Sequence, residues 1–216
     1  GIAMALAMLP VATLGFMTAA REVAQGNYPM PTVLLTAFRA GQQRLHAIAV
    51  LGMLYAVLFG LSMAVTQWVD GGQFVRIYLL GEAIEPAAMR ELMSQGDFQM
   101  AAILAGTLNV VIAMLFWHAP AVVHWHGVSP VKSLFFSIVA CLRNFPAFFV
   151  YLMAWVGLTM LVVLGASLLF TAIAGPVIGS VLMQLLLMVI TAMFFTSQYF
   201  SYLDCFVEAR DSGTEV

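Results

Sequence analysis

The residue types best suited to chemistry in this sequence are four histidines, three of them close together. His118, His124 and His126 fall within one short stretch, and His46 opens a separate apolar run. Imidazoles on neighbouring helices can ligate a haem iron, a copper ion or a zinc ion. At about 100° per residue, however, His118 and His124 point about 240° apart, and Pro120 is expected to bend or end the helix between them. The His-Trp-His run is more typical of an anchor at a membrane surface, so we predict no metal site and no cofactor.

A second set of polar residues lies inside the longest apolar runs. Its members are Asn109, Thr159, Gln184 and Gln198. Ion-coupled carriers need ionisable groups at bilayer depth, and no Asp, Glu, Lys or Arg stands in the middle of these runs. We therefore predict that the four side chains hydrogen-bond between packed helices. The alternative is that they line a polar path for a neutral or lipid-like solute.

A third set flanks two amphipathic stretches that follow apolar runs. It comprises Arg39, Arg44, Lys132, Arg143 and Asn144. A cation beside an anionic leaflet contributes about 1 kcal/mol, so these residues are candidates for contact with lipid or with the acidic surface of a partner. Arg143 is also placed to hold a lipid phosphate through two hydrogen bonds. Ordinary positive-inside anchoring explains the same charges and remains open.

The elements that position these residues are membrane-spanning helices. Of 216 residues, 63% are hydrophobic and 8% are charged, against roughly 45–50% and 25% in soluble domains. The net charge is −2 and there is no basic run, so nucleic acid is not an expected partner. We predict an all-α bundle, one membrane domain over residues 1–216, with spans over 2–20, 45–67, 100–123, 146–171 and 176–203.

The connections between the spans differ in character. Short amphipathic helices at the membrane interface are predicted after spans one and three. The acidic segment 68–99 has helical spacing and should lie ordered against the bundle. Gly175-Pro176 predicts a tight turn between spans four and five.

Orientation follows from the distribution of Lys and Arg. Arg76 and Arg90 lie on one side of the predicted bundle, and the other six cations lie on the side where spans one, three and five end. The positive-inside rule places this second side in the cytoplasm, with the interfacial helices and the tail 204–216, and places 68–99 in the periplasm. Gly1 would then lie outside, which suggests that a further segment precedes it.

A weak internal repeat accompanies this layout. Gly26 and Pro29 recur at the same spacing as Gly127 and Pro130, each pair just before a predicted interfacial helix. Gly60 and Gly157 match in the spans that follow. The predicted unit is a span, an interfacial helix and a span, used twice. A shared preference for glycine and proline at turns is the alternative explanation.

Two stretches carry a resemblance to a known group of proteins. The segment FWHAPAVVHWHGVSPVKSLFFSIVACLRNFPAFFVY, from Phe116 to Tyr151, and the segment from Gly15 to Gly41 resemble an uncharacterised family of proteobacterial inner-membrane proteins, described as hypothetical transmembrane proteins. That family is similar in layout to the membrane domains found beside glycerophosphodiester phosphodiesterases. The resemblance implies a multi-pass inner-membrane topology, and no catalytic residues come with it.

These observations predict a non-catalytic protein. The sequence contains no hydrolase elbow, phosphate loop or HExxH helix. We expect an accessory or scaffold subunit that binds membrane lipid and other membrane-protein subunits. A small permease or lipid-handling transporter is the alternative, and a haem- or metal-binding subunit is the third hypothesis.

Overall fold

The computed structural model describes residues 2–39 and 41–206, excepting the side chains of residues 174 and 176. Within these ranges the regular secondary structure is entirely helical. Five helical segments are long and apolar enough to cross a membrane, which confirms the predicted all-α transmembrane bundle. Spans one to five are Ile2–Ala24, Gln42–Asp70, Gly96–His126, Phe145–Ile173 and Val177–Phe206. Residues 207–216 of the predicted tail lie outside the described part.

Glycine and proline set the breaks between these helices. Gly71 adopts a left-handed conformation with φ 68° and ends span two, as glycine commonly does at a helix C-terminus. Span three is divided into the helices Gly96–Phe116 and Ala119–His126, with Pro120 in the first turn of the second. This division confirms the predicted break, because proline has no N–H to continue the first helix.

Spans one, two and three pack into a common core. Its fully buried side chains include Leu14 from span one, and Ile48 and Leu51 from span two, with Ile112 and Phe116 of span three against them. Spans one and two come very close at Gly52, where the missing side chain leaves room for the backbone of Ala7. A small residue at such a crossing is typical of helix contacts in membranes.

Spans four and five form an antiparallel hairpin around Gly175. Tyr151 hydrogen-bonds Ser197, and Gly179 approaches the backbone of Phe170, as expected for two spans that run back along each other. Gly175 has φ 75° and ψ 173°, a conformation that L side chains rarely adopt, which confirms the predicted turn. Span five packs against spans one and three in a second buried cluster, in which Tyr199 and Tyr202 contact Met17, Ala121 and Val122.

The outer part of this hairpin has little protein around it. No described residue in the most apolar stretch of span four is buried, and few in that of span five are. Leu161, Leu164 and Leu168 are all more than half exposed. In a bilayer these side chains face lipid or another protein.

The two interfacial segments differ in length and in type of helix. The second is the helix Pro130–Arg143, whereas the first consists of a 3₁₀ turn, Pro31–Leu35, followed by one helical turn, Thr36–Arg39. Both predicted glycine turns are confirmed by positive φ values at Gly26 and Gly127. The predicted match of Pro29 with Pro130 is wrong, because the first segment begins at the next proline, two residues later.

The acidic segment between spans two and three is ordered, as predicted. It forms the helices Gln73–Tyr78 and Pro86–Ser94. The Asp70 carboxylate accepts hydrogen bonds from the backbone N–H groups of Gly72 and Phe74, at 2.9 and 2.6 Å, which satisfies donors at the start of the first of these helices. The rings of Phe74 and Tyr78 then pack against Phe98 of span three.

Candidate functional site

A pocket lies on the side where spans one, three and five end, here called the basic side. Its volume is about 270 Å³, and it is lined by Thr32, Val33, Thr36, Arg39 and His124. Four of these residues come from the first interfacial segment and the fifth from the last turn of span three. The structure thus brings together two residues that the sequence placed in different candidate sites, a lipid-contact arginine and a histidine.

Close backbone packing holds the interfacial segment in place. A Cβ at Gly15 of span one would lie 2.8 Å from the carbonyl oxygen of Leu34, so glycine allows the segment to rest directly on the span. Ala37 is fully buried on the same segment. Arg39 follows two residues later and is exposed, so its guanidinium is available at the rim of the pocket.

The pocket carries positive charge. The guanidinium groups of Arg44 and Arg21 both act electrostatically on His124, and that of Arg21 lies 5.1 Å from the centre of the Trp125 ring. Among the described residues, no carboxylate lies within 4.0 Å of Arg39 or Arg44; the ion pair that does meet this limit, Arg76 with Glu82, is on the opposite side.

His124, which lines the pocket, has one buried polar atom without a hydrogen-bond partner in the described structure. His124 Nδ1 is buried, and no described residue forms a hydrogen bond with it. A buried polar atom is normally hydrogen-bonded, so an unpartnered one indicates a place for a bound group. Guanidinium, imidazole and the Thr32 hydroxyl together are suited to an anion such as phosphate, whereas the Thr36 hydroxyl already donates to the carbonyl of Val33.

Asn144 lines a second opening on the basic side. This cleft has a volume of about 280 Å³ and separates the start of span four from the end of span five, where Tyr151, Ser201 and Asp204 also line it. The Asn144 amide donates to the carbonyl of Ala140 at 3.1 Å. Lys132 and Arg143 are exposed on the same side, but neither lines this cleft or the pocket of Arg39.

The four uncharged polar residues do not lie along one path in the described structure. Asn109 donates to the carbonyl of Ala105 at 2.8 Å and approaches the hydroxyl of Ser62 in span two at 3.5 Å. Thr159 is half-buried between spans four and five, and Gln184 is exposed. Gln198 is buried, and its Oε1 has no hydrogen-bond partner among the described residues.

The histidines are also dispersed. His118 is fully buried among Phe148, Tyr202 and Phe206, whose rings meet it edge-on at 5.4 to 6.2 Å. His46 and His126 are exposed, and Nε2 of His126 lies 2.6 Å from the Tyr202 hydroxyl. Residues 2–39 and 41–206 contain no group of three or more His, Cys, Asp or Glu side chains placed to hold a metal ion.

A hydrogen-bond network at the break in span three was not predicted from the sequence. The Ser137 hydroxyl accepts a hydrogen bond from the backbone N–H of His118 at 2.9 Å and donates one to the carbonyl of Met114 at 2.8 Å. These backbone groups lose their helical partners where Pro120 starts the second helix. A lone serine on an amphipathic helix carries no pattern that identifies such a role.

Comparison with known proteins places the chain in the membrane of a bacterium. No family model matches it, and no solved structure matches it. A probable inner membrane protein of Burkholderia thailandensis is 37% identical over 207 residues, which cover 95% of this chain and 76% of that protein. The similarity thus extends over all five spans.

Proposed function

Because the chain belongs to the family of this Burkholderia thailandensis inner membrane protein, we propose that it is a non-catalytic accessory or scaffold subunit that binds anionic lipid. It is a multi-pass protein of the inner membrane. The observation that carries the lipid-binding part is the pocket lined by Arg39, His124 and Thr32. The chemistry of that pocket suits the phosphate of a lipid headgroup.

The position of the pocket supports a lipid over a soluble anion. It lies at the end of span three, where the helix leaves the apolar layer, and one wall is the first interfacial segment. Leu34 and Leu35 of that segment are exposed, as expected for side chains that enter the membrane beside the pocket. A headgroup could therefore occupy the pocket while its acyl chains remain in the bilayer.

The hairpin of spans four and five supports the accessory part. The first three spans already bury a shared core, whereas the outer half of the hairpin contributes almost nothing to it. A helical pair of this kind offers two apolar faces to neighbouring subunits. The predicted similarity in layout to membrane domains that stand beside a phosphodiesterase is in keeping with such a role.

Lipid retention tests the binding site. The protein is purified in mild detergent, mixed with phosphatidylglycerol or phosphatidylcholine, and examined by native mass spectrometry. We expect preferential retention of phosphatidylglycerol, and we expect Arg39→Gln to weaken it by about fivefold, the equivalent of one cation near an anionic lipid at about 1 kcal/mol. Arg90→Gln is the matched control, since Arg90 is an exposed arginine on the opposite side. The proposal would be contradicted if both variants lost phosphatidylglycerol retention equally, or if Arg39→Gln retained it as well as the wild type.

Site-specific photo-crosslinking in native membranes tests the accessory role. A photoreactive residue replaces Leu168 in the hairpin, which is 76% exposed, or Met53 in span two, which is 65% exposed. We expect position 168 to crosslink to one protein in a constant ratio, and position 53 to crosslink mainly to lipid. Lipid adducts alone at both positions would count against a partner at the hairpin.

A further inference from the structure

A cavity near the middle of the bundle is lined by all five spans. Its volume is about 310 Å³. The residues around it are Leu9, Pro10 and Thr13 of span one, Tyr55 of span two, Ala113, Phe116 and Trp117 of span three, Leu152 of span four, and Phe194, Phe195 and Gln198 of span five. It shares no residue with the pocket of Arg39 and His124.

Trp117 and Gln198, which line this cavity, each have one buried polar atom with no partner in the described protein. These atoms are Nε1 of Trp117, a hydrogen-bond donor, and Oε1 of Gln198, an acceptor. The two residues are 7% and 4% exposed. Water is scarce at this depth and cannot be relied on to pair such groups, so leaving them unmatched is costly. Nearby Tyr151, by contrast, is paired with Ser197.

The other residues that line the cavity indicate which class of ligand would fit. Among the described residues, no Asp, Glu, Lys, Arg or His lines the cavity, so a charged headgroup would lack a counter-charge. Five aromatic rings surround it, which favours a group with large apolar surface. Gln198 lies eight residues before Phe206, the last described residue of span five, and therefore about 12 Å along the helix from that end.

The cavity has a side that faces the membrane. Ala113 in its wall is exposed, and Leu9 and Leu152 are half-buried. A lipid can therefore place its headgroup between the spans and keep its chains outside. The volume is at the lower end of ligand sites, about 300–1,000 Å³, which suits a headgroup without its tail.

We propose that this cavity binds an uncharged membrane lipid whose headgroup accepts a hydrogen bond from Trp117 Nε1 and donates one to Gln198 Oε1. A quinol ring meets this requirement through its hydroxyl groups, and diacylglycerol meets it through an ester carbonyl and a hydroxyl. The site goes beyond the proposed anionic-lipid pocket, and each can fail without the other because they share no residue.

Binding of two short-chain probes tests the proposal. Detergent-purified protein is incubated with decylubiquinol or with dioctanoylglycerol, and bound ligand is measured by native mass spectrometry. We expect the wild type to bind at least one probe, and the probe that binds identifies the source of the headgroup. Gln198→Leu and Trp117→Phe should each weaken binding about tenfold, the effect of one lost buried hydrogen bond. Trp117→Phe keeps an aromatic ring in place, so it tests the proposal even if Gln198→Leu fails to fold.

Gln184→Leu is the matched control, because Gln184 is an exposed glutamine of the same span. It should bind the probe as the wild type does. The proposal is overturned if neither probe binds the wild type, if Trp117→Phe binds as well as the wild type, or if the control loses binding too. Phosphatidylglycerol retention is measured on the same samples and should be unchanged in all three variants.

Discussion

The crossing of spans one and two at Gly52 allows a direct test of how the core is held together. A Cβ at Gly52 would lie 3.1 Å from the carbonyl carbon of Ala7 and would overlap the carbonyl oxygen. Both atoms belong to the backbone of span one, so no change of side-chain rotamer can relieve the overlap. In Gly52→Ala the two spans must therefore move apart, and Ile48 and Leu51 on the same face of span two lose part of their packing.

The size of the effect follows from two opposing contributions. Alanine is favoured over glycine in a helix by about 1 kcal/mol. Overpacking of a tight contact costs about 1–3 kcal/mol. Gly52→Ala should thus lower the free energy of unfolding by up to about 2 kcal/mol. In Gly60→Ala, on the same span, the added Cβ meets no atom of the described residues within 4 Å, so this variant should be more stable than the wild type by up to about 1 kcal/mol.

The assay is unfolding by sodium dodecyl sulfate in mixed micelles, followed by helical circular dichroism for the three proteins. The expected order of stability is Gly60→Ala, then wild type, then Gly52→Ala, with about 1–3 kcal/mol between the two variants. If Gly52→Ala were as stable as Gly60→Ala, the close approach of spans one and two would be refuted.

Three further predictions concern the basic side and the topology. Ser137→Ala should lower the free energy of unfolding by about 1–3 kcal/mol in the same assay, because it leaves a buried backbone N–H unpaired; an unchanged value would contradict the bonds assigned to Ser137. Burial raises the pKa of the Cys141 thiol to about 12, so in a Cys205→Ser variant a maleimide at pH 8 should react with Cys141 only after denaturation, and reaction in the folded protein would show that the thiol is accessible. An impermeant maleimide added to whole cells should label Arg90→Cys and spare Lys132→Cys, both made in a Cys141→Ser, Cys205→Ser background, and the reverse pattern would invert the predicted orientation.

Much of the fold was predictable because it depends on local properties of the chain. Hydrophobic length identified five spans, and each begins within about four residues of its predicted start. Pro120 and the Gly175 turn were also predictable, since both act on their own stretch of backbone. The start of the first interfacial segment was harder to predict. Two prolines, Pro29 and Pro31, stand close together, and the 3₁₀ turn begins at the second.

The candidate sites were predictable only in part. Arg39 was identified as a candidate from its charge. Its position beside His124 was not predictable, because the two residues are far apart in the sequence and come together only through tertiary packing. Gln198 was expected to join helices by hydrogen bonds. The described structure instead leaves its Oε1 unpartnered beside a cavity, and whether a polar group finds a partner depends on every neighbouring span.

The sequence by itself determined that the chain is a helical membrane protein, where it crosses the bilayer and which side carries the cations. These properties follow from the transfer of apolar residues into lipid, which each segment experiences separately. Only the tertiary structure decided that three spans form the core, that the hairpin of spans four and five stands largely outside it, and that the pocket of Arg39 is separate from the cavity between the five spans. Such arrangements arise from contacts between distant residues, and in a membrane nearly every apolar face can pack against lipid as well as protein, so hydrophobicity alone does not select the partner.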